Sequence, residues 1–478
     1  MNRTEIYRGH WSNILRIIFS NIYSVFIFIA IFLKHSESSK ILTCIIVFTL
    51  AVISYSMLHW RSNYFYIEDN MFIYVKGVFG KSTEQIPLNK ITTVDMESDA
   101  IGRILGAITL KLNSGNATLD ESEFKMIVKS VDAIEIKKLI LGQDNKNDDA
   151  NIENNKLKEF KATTKDIIIY ALTQNKFSWM LILYVVVDKL KDLFKEKIAN
   201  NIENYANMTK TFFIYKNKTA LIFNIILIIL SVYILATIIS IIIELVRYNK
   251  FKIFKNKDSL NVQYGLINLK QYSIPIDKIQ AIKFKQNIIQ QFFNLYKIES
   301  VVIGDDKSNS LLFPIVNNKL KNKFITELLP EYSVESPINK PPRRAISRFI
   351  IKRTIIILLL SIISIILFDI VFNKISFPIS IKYIVILILM ISQAVLGYIN
   401  YLNNGISVEE NLVLLTRGTI TKLTYIIKKD KIQSLEVQQS IFQKRKELCT
   451  YKIDIATNSF GETIEIKNME VNKFMNIL

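Results

Sequence analysis

The chain has 478 residues, half of them hydrophobic, and its 61 basic and 42 acidic side chains give a formal net charge of +19. This length exceeds one ordinary domain, and the long apolar blocks exclude a wholly soluble globular protein. The basic excess is compatible with nucleic acid, with an anionic membrane surface or with a biased base composition. Cys44 and Cys449 give neither a disulfide framework nor a zinc spacing, and we expect both to be ordinary buried residues.

Six apolar blocks are long enough to cross the roughly 30 Å hydrocarbon core of a bilayer, which takes about 20 residues. In chain order they are residues 14–33, 41–58, 167–187, 219–246, 354–372 and 383–402. The first block is too long for the apolar core of a cleaved signal peptide, so we expect a signal anchor. Short connectors join the first two and the last two blocks, and a longer loop, 188–218, joins the middle two. The sequence therefore predicts six transmembrane helices in three hairpins.

A polar stretch follows each hairpin and is long enough for a small domain. The predicted parts are hairpin 1–60, domain 61–141, linker 142–165, hairpin 166–246, domain 247–330, linker 331–348, hairpin 349–402 and domain 403–478.

The third span is the least regular, because Gln174, Asn175 and Lys176 lie near its centre. A lysine at the centre of a span costs about 2.5–3.5 kcal/mol on insertion. Two interpretations remain open: Lys176 faces neighbouring helices or reaches the interface, or it marks a polar site within the bilayer. Without an acidic partner in view it does not indicate a proton relay.

Basic residues cluster beside the fourth and fifth spans, on one side of an even-numbered topology. The positive-inside rule then places both termini and all three domains in the cytoplasm of a bacterial cell, although the 188–218 loop also carries lysines. Each such residue near an anionic leaflet contributes about 1 kcal/mol of attraction. The cluster before the fifth span either determines topology or contacts anionic lipid. Its members are Arg343, Arg344, Arg348, Lys352 and Arg353.

Three segments, one after each hairpin, share a fixed spacing that indicates an internal repeat. A glycine stands 13 residues before the lysine of a Lys-Ile pair, and a proline stands three before it in two copies, with Lys428 replacing it in the third. Another apolar residue follows ten residues after each isoleucine: Ile101, Ile289 and Phe442. The shared positions are Gly77, Pro87, Lys90 and Ile91 in the first copy, Gly265, Pro275, Lys278 and Ile279 in the second, and Gly418, Lys431 and Ile432 in the third.

Each soluble domain is predicted to consist of short strands and a late helix. Alternating or β-branched runs at 71–75, 260–264 and 412–415 end at the shared glycine, where we expect a positive-φ turn and then a second strand. Helical spacing predicts helices over 123–141 and 319–329, and a truncated helix over 471–478. Strands closing into a small barrel with one covering helix are the simplest arrangement.

With the three spaced units, and above all IPIDKIQAIKF and KIQSLEVQQSIFQ, the chain resembles the bacterial pleckstrin-homology (PH) domain membrane protein family, the YdbT-like group, over nearly its whole length. The resemblance implies a membrane α + β fold in which a PH-like β-barrel with a C-terminal helix follows each hairpin, and it implies no established activity. The first copy departs from the pattern, with Thr92-Thr93 where the others read Gln280-Ala281 and Gln433-Ser434. No residue matches the basic lipid-binding motif of eukaryotic PH domains.

Chemistry-bearing motifs are absent from the sequence. It has no phosphate loop, dinucleotide fingerprint, nucleophile elbow or metalloprotease pattern. The three histidines, His10, His35 and His59, flank the first hairpin as expected for interfacial residues, and Asp305-Asp306 reads as a solvated loop. We therefore expect no catalytic residue, no cofactor and no metal.

Three classes of function remain, of which an enzyme is the least favoured because the sequence shows no catalytic constellation. The leading one is a non-enzymatic scaffold that presents three PH-like domains at the inner leaflet, in cell-envelope maintenance or stress resistance. The alternative is a transporter or lipid-handling protein, although a transporter should show intramembrane charges or broken helices; we expect Lys176→Leu to leave function intact. The expected partners are the anionic bilayer and either another protein or a second copy bound through the domains, with no nucleic acid.

Overall fold

The computed structural model describes residues 5–20, 38–114, 124–140, 158–174, 218–256, 258–303, 309–371, 379–457 and 461–471. Its helices are α1 (Ser12–Ser20), α2 (Ser38–Ser62), α3 (Ala100–Leu105), α4 (Ser130–Ile140), α5 (Thr164–Thr173), α6 (Lys218–Arg247), α7 (Ile288–Phe292), α8 (Asn318–Leu328), α9 (Ile346–Val371), α10 (Ile379–Asn403) and α11 (Ile441–Lys444).

The strands fall into three groups separated by the long helices. The first group is β1 (Tyr7–Arg8), β2 (Tyr64–Glu68), β3 (Met71–Lys76), β4 (Ser82–Pro87), β5 (Ile91–Ser98), β6 (Ala107–Ser114) and β7 (Phe124–Lys129). The second is β8 (Glu159–Lys161), β9 (Lys252–Asn256), β10 (Ser259–Tyr264), β11 (Leu269–Pro275), β12 (Ile279–Asn287), β13 (Leu295–Val302) and β14 (Asn309–Asn317). The third is β15 (Gly405–Val408), β16 (Leu412–Gly418), β17 (Thr421–Lys428), β18 (Ile432–Gln438), β19 (Leu448–Ile455) and β20 (Glu462–Glu470).

Among the described residues, three helices are long and apolar enough to span a membrane: Ile229–Arg247, Arg343–Leu367 and Tyr383–Asn403. They coincide with the fourth, fifth and sixth predicted spans. The last two pack closely as a hairpin, since a Cβ added to Gly397 would lie 2.7 Å from the carbonyl oxygen of Phe349. The second predicted span lies within α2, whereas most of the first and third, with Lys176, lies outside the described residues.

The start of the third predicted span differs from the sequence prediction. Residues 167–173 do not open a continuous membrane helix, because α5 ends at Thr173 and Gln174 is extended. A capping box between Thr163 and Asp166 begins α5. Its side chains at Ile167 and Tyr170 are buried in the core of the soluble domain that follows. The apolar character of this stretch therefore serves packing on that domain.

Each soluble unit consists of two antiparallel three-stranded meanders joined at a corner. Unit 1 is β2–β4 and β5–β7, unit 2 is β9–β11 and β12–β14, and unit 3 is β15–β17 and β18–β20. At each corner a single 3-10 turn leads into the second meander: Leu88–Lys90, Ile276–Lys278 and Lys429–Lys431. A helix follows in units 1 and 2, α4 and α8, and the predicted helix 471–478 lies outside the described residues except for Val471. The predicted strands at 71–75, 260–264 and 412–415 are confirmed, but the predicted helix 123–141 is wrong in its first part, where Phe124–Lys129 form β7.

The expected closed barrels are wrong. The residues that the structure describes form four open sheets, in the strand orders β1-β2-β3-β4, β7-β6-β5-β11-β10-β9-β8, β14-β13-β12-β17-β16-β15 and β18-β19-β20. The two meanders of one unit lie in different sheets. The edge of β5 that would close unit 1 on itself instead pairs with β11 of unit 2, and β12 of unit 2 pairs in the same way with β17 of unit 3. We call these the two inter-unit joints.

The two joints have the same register. Val94 pairs with Ser273 at the first joint, and Ile282 pairs with Ile426 at the second. In both cases the residues occupy the same positions of the repeat, four after and five before the lysine of the Lys-Ile pair. The hydrophobic core also extends across the second joint, because Leu412, Leu414 and Ile426 of unit 3 belong to the core of unit 2. The three units are therefore joined in a row rather than tethered separately.

Candidate membrane-facing surface

The shared glycines mark the end of each unit that lies next to its hairpin. The N–H of Gly265 donates to the carbonyl oxygen of Asn249 at 2.9 Å, and the N–H of Leu266 donates to Val246, at the end of α6, at 3.0 Å. The N–H of Gly77 donates to Asn63, just after α2, at 3.1 Å. The Lys-Ile corners lie one strand length, about 20 Å, away at the distal end.

The glycine turns have one geometry in all three units. Gly77, Gly265 and Gly418 have φ of 115°, 117° and 125°, which side chains rarely adopt. An added Cβ would come within 1.9 Å of the carbonyl oxygen three residues later in each turn. Glycine is therefore required at these positions, as the sequence predicts from the turn.

Large apolar side chains are exposed at this hairpin-proximal end. They belong to the glycine turns and to the short helices α3, α7 and α11, and they include Phe79 (95%), Ile104 (84%), Phe292 (82%), Ile441 (76%) and Phe442 (68%). The apolar residue that follows each Lys-Ile pair by ten positions, such as Ile101, is one of them. We call this set the apolar tips. Exposed apolar side chains repeated at one end of a fold indicate an interaction surface.

The short helices are fixed to the hairpins through their N-caps. Asp99, Asn287 and Ser440 cap α3, α7 and α11. Asp99 forms an ion pair with Arg16 of α1 at 2.6 Å. Asn287 donates to the carbonyl oxygen of Thr173 in α5 at 2.6 Å, and Arg348 of α9 donates to Ser440 at 3.5 Å. The helices α3 and α11 are thus held against α1 and α9, and α7 is held against α5.

The predicted basic cluster divides into two sets of residues. Arg344 pairs with Glu447 and Glu470 at 3.7 and 3.8 Å, Arg348 donates to Asn468 at 3.0 Å, and Arg353 donates to Thr419 at 2.8 Å. These three arginines attach α9 to unit 3. Arg343 and Lys352 are exposed, which leaves them as the candidate lipid contacts of the cluster.

A cavity of about 330 Å³ lies between units 2 and 3. Lys321 and Lys422 both line it, with the ammonium of Lys321 4.5 Å from the ring centroid of Tyr296. Burial, and then the positive charge of Lys422, lowers the pKa of Lys321. Burial, and then Lys340, lowers the pKa of Lys422. Two lysines therefore line this cavity, and the sequence analysis did not bring them together because they come from different units.

A larger cavity, of about 780 Å³, lies between the first hairpin and unit 1. Arg16 and Lys76 line it, but Arg16 pairs with Asp99, and Lys76 pairs with Glu84. Arg16 and Lys76 are therefore neutralised within the chain, whereas Lys125, which also lines the cavity, is exposed.

The repeat signature and the histidines have structural surroundings. Ile91 and Ile279 are buried at the distal corners, and Lys278 and Lys431 lie 3.8 and 3.9 Å from the neighbouring Asp277 and Asp430. The remaining signature positions form the same corner: Pro87 and Pro275 end β4 and β11, Lys90 ends its 3-10 turn, and Ile432 begins β18.

The ring Nδ1 of His10 lies 2.8 Å from Ser12 Oγ, and His59 contacts Asn63. His35 and Asp305-Asp306 lie outside the described residues. Within the part of the chain that the structure describes, no cluster of His, Cys, Asp and Glu could hold a metal ion.

Comparison with known proteins gives three findings. The family model described as "Bacterial PH domain" matches residues 22–143, 211–323 and 351–478, so each match contains hairpin sequence and a soluble unit. The UPF0699 transmembrane protein YdbT of Bacillus subtilis (strain 168) is 24% identical over 440 residues, which cover 87% of this chain and 84% of that protein. No solved structure matches the chain.

Proposed function

This chain belongs to the bacterial PH domain family and is a transmembrane protein, and from that premise we propose that it is a non-enzymatic scaffold seated on the membrane surface. The three units form one platform whose apolar tips enter the headgroup region of the leaflet. The proposal places the units and both termini in the cytoplasm and the work in the cell envelope. It assigns no catalytic step and no cofactor.

The observation that carries this proposal is the repetition of the apolar tips. All three units expose large apolar side chains at the end that contacts their hairpins, and Phe79 alone is 95% exposed. Burying such surface stabilises association by about 25 cal/mol per Å². The exposed Arg343 and Lys352 lie at the same level and add attraction to anionic lipid.

The depth of the tips can be measured by quenching of tryptophan fluorescence with brominated lipids. The three native tryptophans are first replaced by phenylalanine, and Phe79→Trp, Phe292→Trp and Phe442→Trp are then made separately in full-length protein in anionic vesicles. Each is expected to be strongly quenched. The matched control, Glu410→Trp in the distal β15–β16 turn, is expected to show little quenching. Quenching of the tips no stronger than that of the control would contradict the proposal.

A second candidate, lipid handling, is favoured by the cavity with Lys321 and Lys422. Two ammonium groups that line one inter-unit cavity suit a phosphate group, carried by a lipid headgroup or free in solution. We expect the double variant Lys321→Ala/Lys422→Ala to purify with less anionic lipid by mass spectrometry, while the exposed Lys319→Ala retains it. If the double variant retains as much anionic lipid as the wild type but binds inorganic phosphate more weakly, free phosphate is the ligand instead.

A further inference from the structure

Among the described residues, two strands have one edge that pairs with no other strand, and they occupy different positions of the repeat. Strand β4, in unit 1, is the repeat equivalent of β11 and β17, yet it pairs only with β3. Strand β18, in unit 3, is the equivalent of β5 and β12, yet it pairs only with β19. The row of units thus begins with one half of an inter-unit joint and ends with the other half.

We propose that a second copy of this chain completes the joint, with β18 of one copy pairing with β4 of the next. The proposal goes beyond the membrane scaffold and does not rest on contact of the tips with lipid. Each copy then offers one β4 edge and one β18 edge, so the contact is head-to-tail and builds rings or open rows. Confinement of the chain to a membrane raises the effective concentration of the two edges.

The sheets that this contact would build already exist inside the chain. Joining β18-β19-β20 to β1-β2-β3-β4 gives seven strands in the order β20-β19-β18-β4-β3-β2-β1. The sheet across the first inter-unit joint also has seven strands, β7-β6-β5-β11-β10-β9-β8, in equivalent order. The match includes the outermost strand, since β1 precedes α1 and β8 precedes α5 at the start of their repeats.

The open strand β18 has the shape of its paired equivalents. A register shift separates the first and third residues of β5, β12 and β18 in their pairing with the following strand: Ile91/Thr93, Ile279/Ala281 and Ile432/Ser434. Bulges of this kind bend a strand and re-aim its edge. The edge that β5 and β12 present to the next unit is therefore reproduced by β18.

Applying the shared register predicts the contacts between copies. Leu435 of one copy should lie opposite Gln85 of the next, as Val94 lies opposite Ser273 and Ile282 opposite Ile426. Val437 should then lie opposite Thr83. These are ordinary cross-strand pairs between apolar and polar side chains on half-exposed strands.

Beside each joint a side chain of one unit donates a hydrogen bond to the next unit, and unit 3 has a residue at the same position of the repeat. Arg103 of α3 donates to the carbonyl oxygen of Leu266 in the turn of the next unit. Gln291, at the same position of α7, donates to the carbonyl oxygens of Thr419 and Ile420 at 3.2 and 3.1 Å. The equivalent residue of α11 is Lys444, which is exposed. It should donate to the turn that follows Gly77 in the second copy.

One predicted pair opposes association. Glu436 would face Glu84, where the internal joints place Asp95 opposite Tyr272 and Lys283 opposite Tyr425. Within its own unit Glu436 pairs with Lys452 at 3.4 Å, and Glu84 pairs with Lys76. Like charges directly opposite each other destabilise a ladder, so this pair limits the contact and provides a sharp test of it.

The test uses disulfide trapping in native membranes between differently tagged, full-length copies with Cys44 and Cys449 replaced by alanine. One copy carries Gln85→Cys and the other carries Leu435→Cys. We expect a cross-link between copies only when both are present. The equivalent internal pair, Val94→Cys with Ser273→Cys, is the positive control, and Lys467→Cys, exposed on β20, replaces Leu435→Cys in the negative control.

Charge reversal then tests the register. Glu84→Lys or Glu436→Lys alone should raise the cross-linked fraction about twofold to fivefold, and the two together should return it to the starting level. Lys444→Ala should lower it about twofold to tenfold, whereas the neighbouring Arg445→Ala should not.

Three outcomes would overturn the proposal. The first is no cross-link between copies while the internal control pair closes. The second is a preference for pairs of identical edges over the mixed pair. The third is trapping of both edges on a different protein instead of a second copy.

Discussion

At the residue scale, the glycine turns give the most local test of the fold. Gly77 and Gly80 lie in one turn, but only Gly77 has positive φ, and only at Gly77 would a Cβ meet a neighbouring atom. We expect Gly77→Ala to destabilise unit 1 by about 1–3 kcal/mol and Gly80→Ala to have no measurable effect. Denaturant midpoints of the two variants in lipid nanodiscs compare them directly, and equal midpoints would refute the turn geometry.

Glu97 makes the first joint sensitive to acid. It pairs with Lys270 across the joint at 2.9 Å and with Lys111 of its own unit at 3.2 Å. Burial alone would raise its pKa, but the hydrogen bonds and charges of Lys270 and Lys111 outweigh burial and hold the pKa below its ordinary value. The carboxyl therefore binds its proton less readily when folded. Its contribution to stability is complete above the ordinary glutamate pKa of about 4.3 and is lost as the pH falls through the lowered value.

We therefore expect the first joint to weaken on acidification, and Glu97→Gln to remove that pH dependence. Hydrogen exchange of the β5 amides, compared at equal intrinsic rates between about pH 5 and pH 3, measures it. The β12 amides at the second joint serve as the internal reference. Identical pH profiles for wild type and Glu97→Gln would show that the carboxylate does not support the joint.

At the element scale, α7 links unit 2, unit 3 and the third hairpin. Gln291 donates to the turn at Thr419 and Ile420 and accepts a hydrogen bond from Asn403, at the end of α10, at 2.8 Å. Gln291→Ala leaves these partners unsatisfied, so we expect the second joint to lose about 1–3 kcal/mol. Limited proteolysis between units 2 and 3 should accelerate. The exposed amide variant Asn322→Ala on α8 should match wild type, and equal rates for both variants would contradict the role of Gln291.

The sequence predicts elements well where one periodicity dominates. The fourth to sixth spans and the strands that end at Gly77, Gly265 and Gly418 are recognisable because a long apolar run or an alternating run has one interpretation. The first part of the predicted helix 123–141 is wrong because Phe124, Ile127 and Val128 fit helical spacing but are buried together within the strand β7. The start of the third span is wrong because burial in a protein core and burial in lipid select the same apolar residues.

At the scale of the whole molecule, the strand pairing at the inter-unit joints could not be predicted from the sequence. Glu97 and Lys270, or Lys283 and Tyr425, come from separate repeats, and each strand is compatible with closing its own barrel. Only the three-dimensional arrangement shows that the outer edges of β5 and β12 pair with strands of the next unit. The sequence shows that an apolar residue, Ile101, Ile289 or Phe442, recurs at one position of the repeat. That these side chains of the apolar tips are exposed could not be predicted from the sequence.

The central claim is that the three units are one platform held by β5–β11 and β12–β17. The most direct measurement is disulfide trapping within the full-length chain in membranes, with Val94→Cys/Ser273→Cys at the first joint and Ile282→Cys/Ile426→Cys at the second. Paired strands bring such residues within the 4.4–6.8 Å Cα separation that a disulfide requires. We predict rapid closure of both bonds, detected as a mobility shift of the monomer that reverses on reduction. Failure of both pairs to close in an inserted, folded chain would contradict the account.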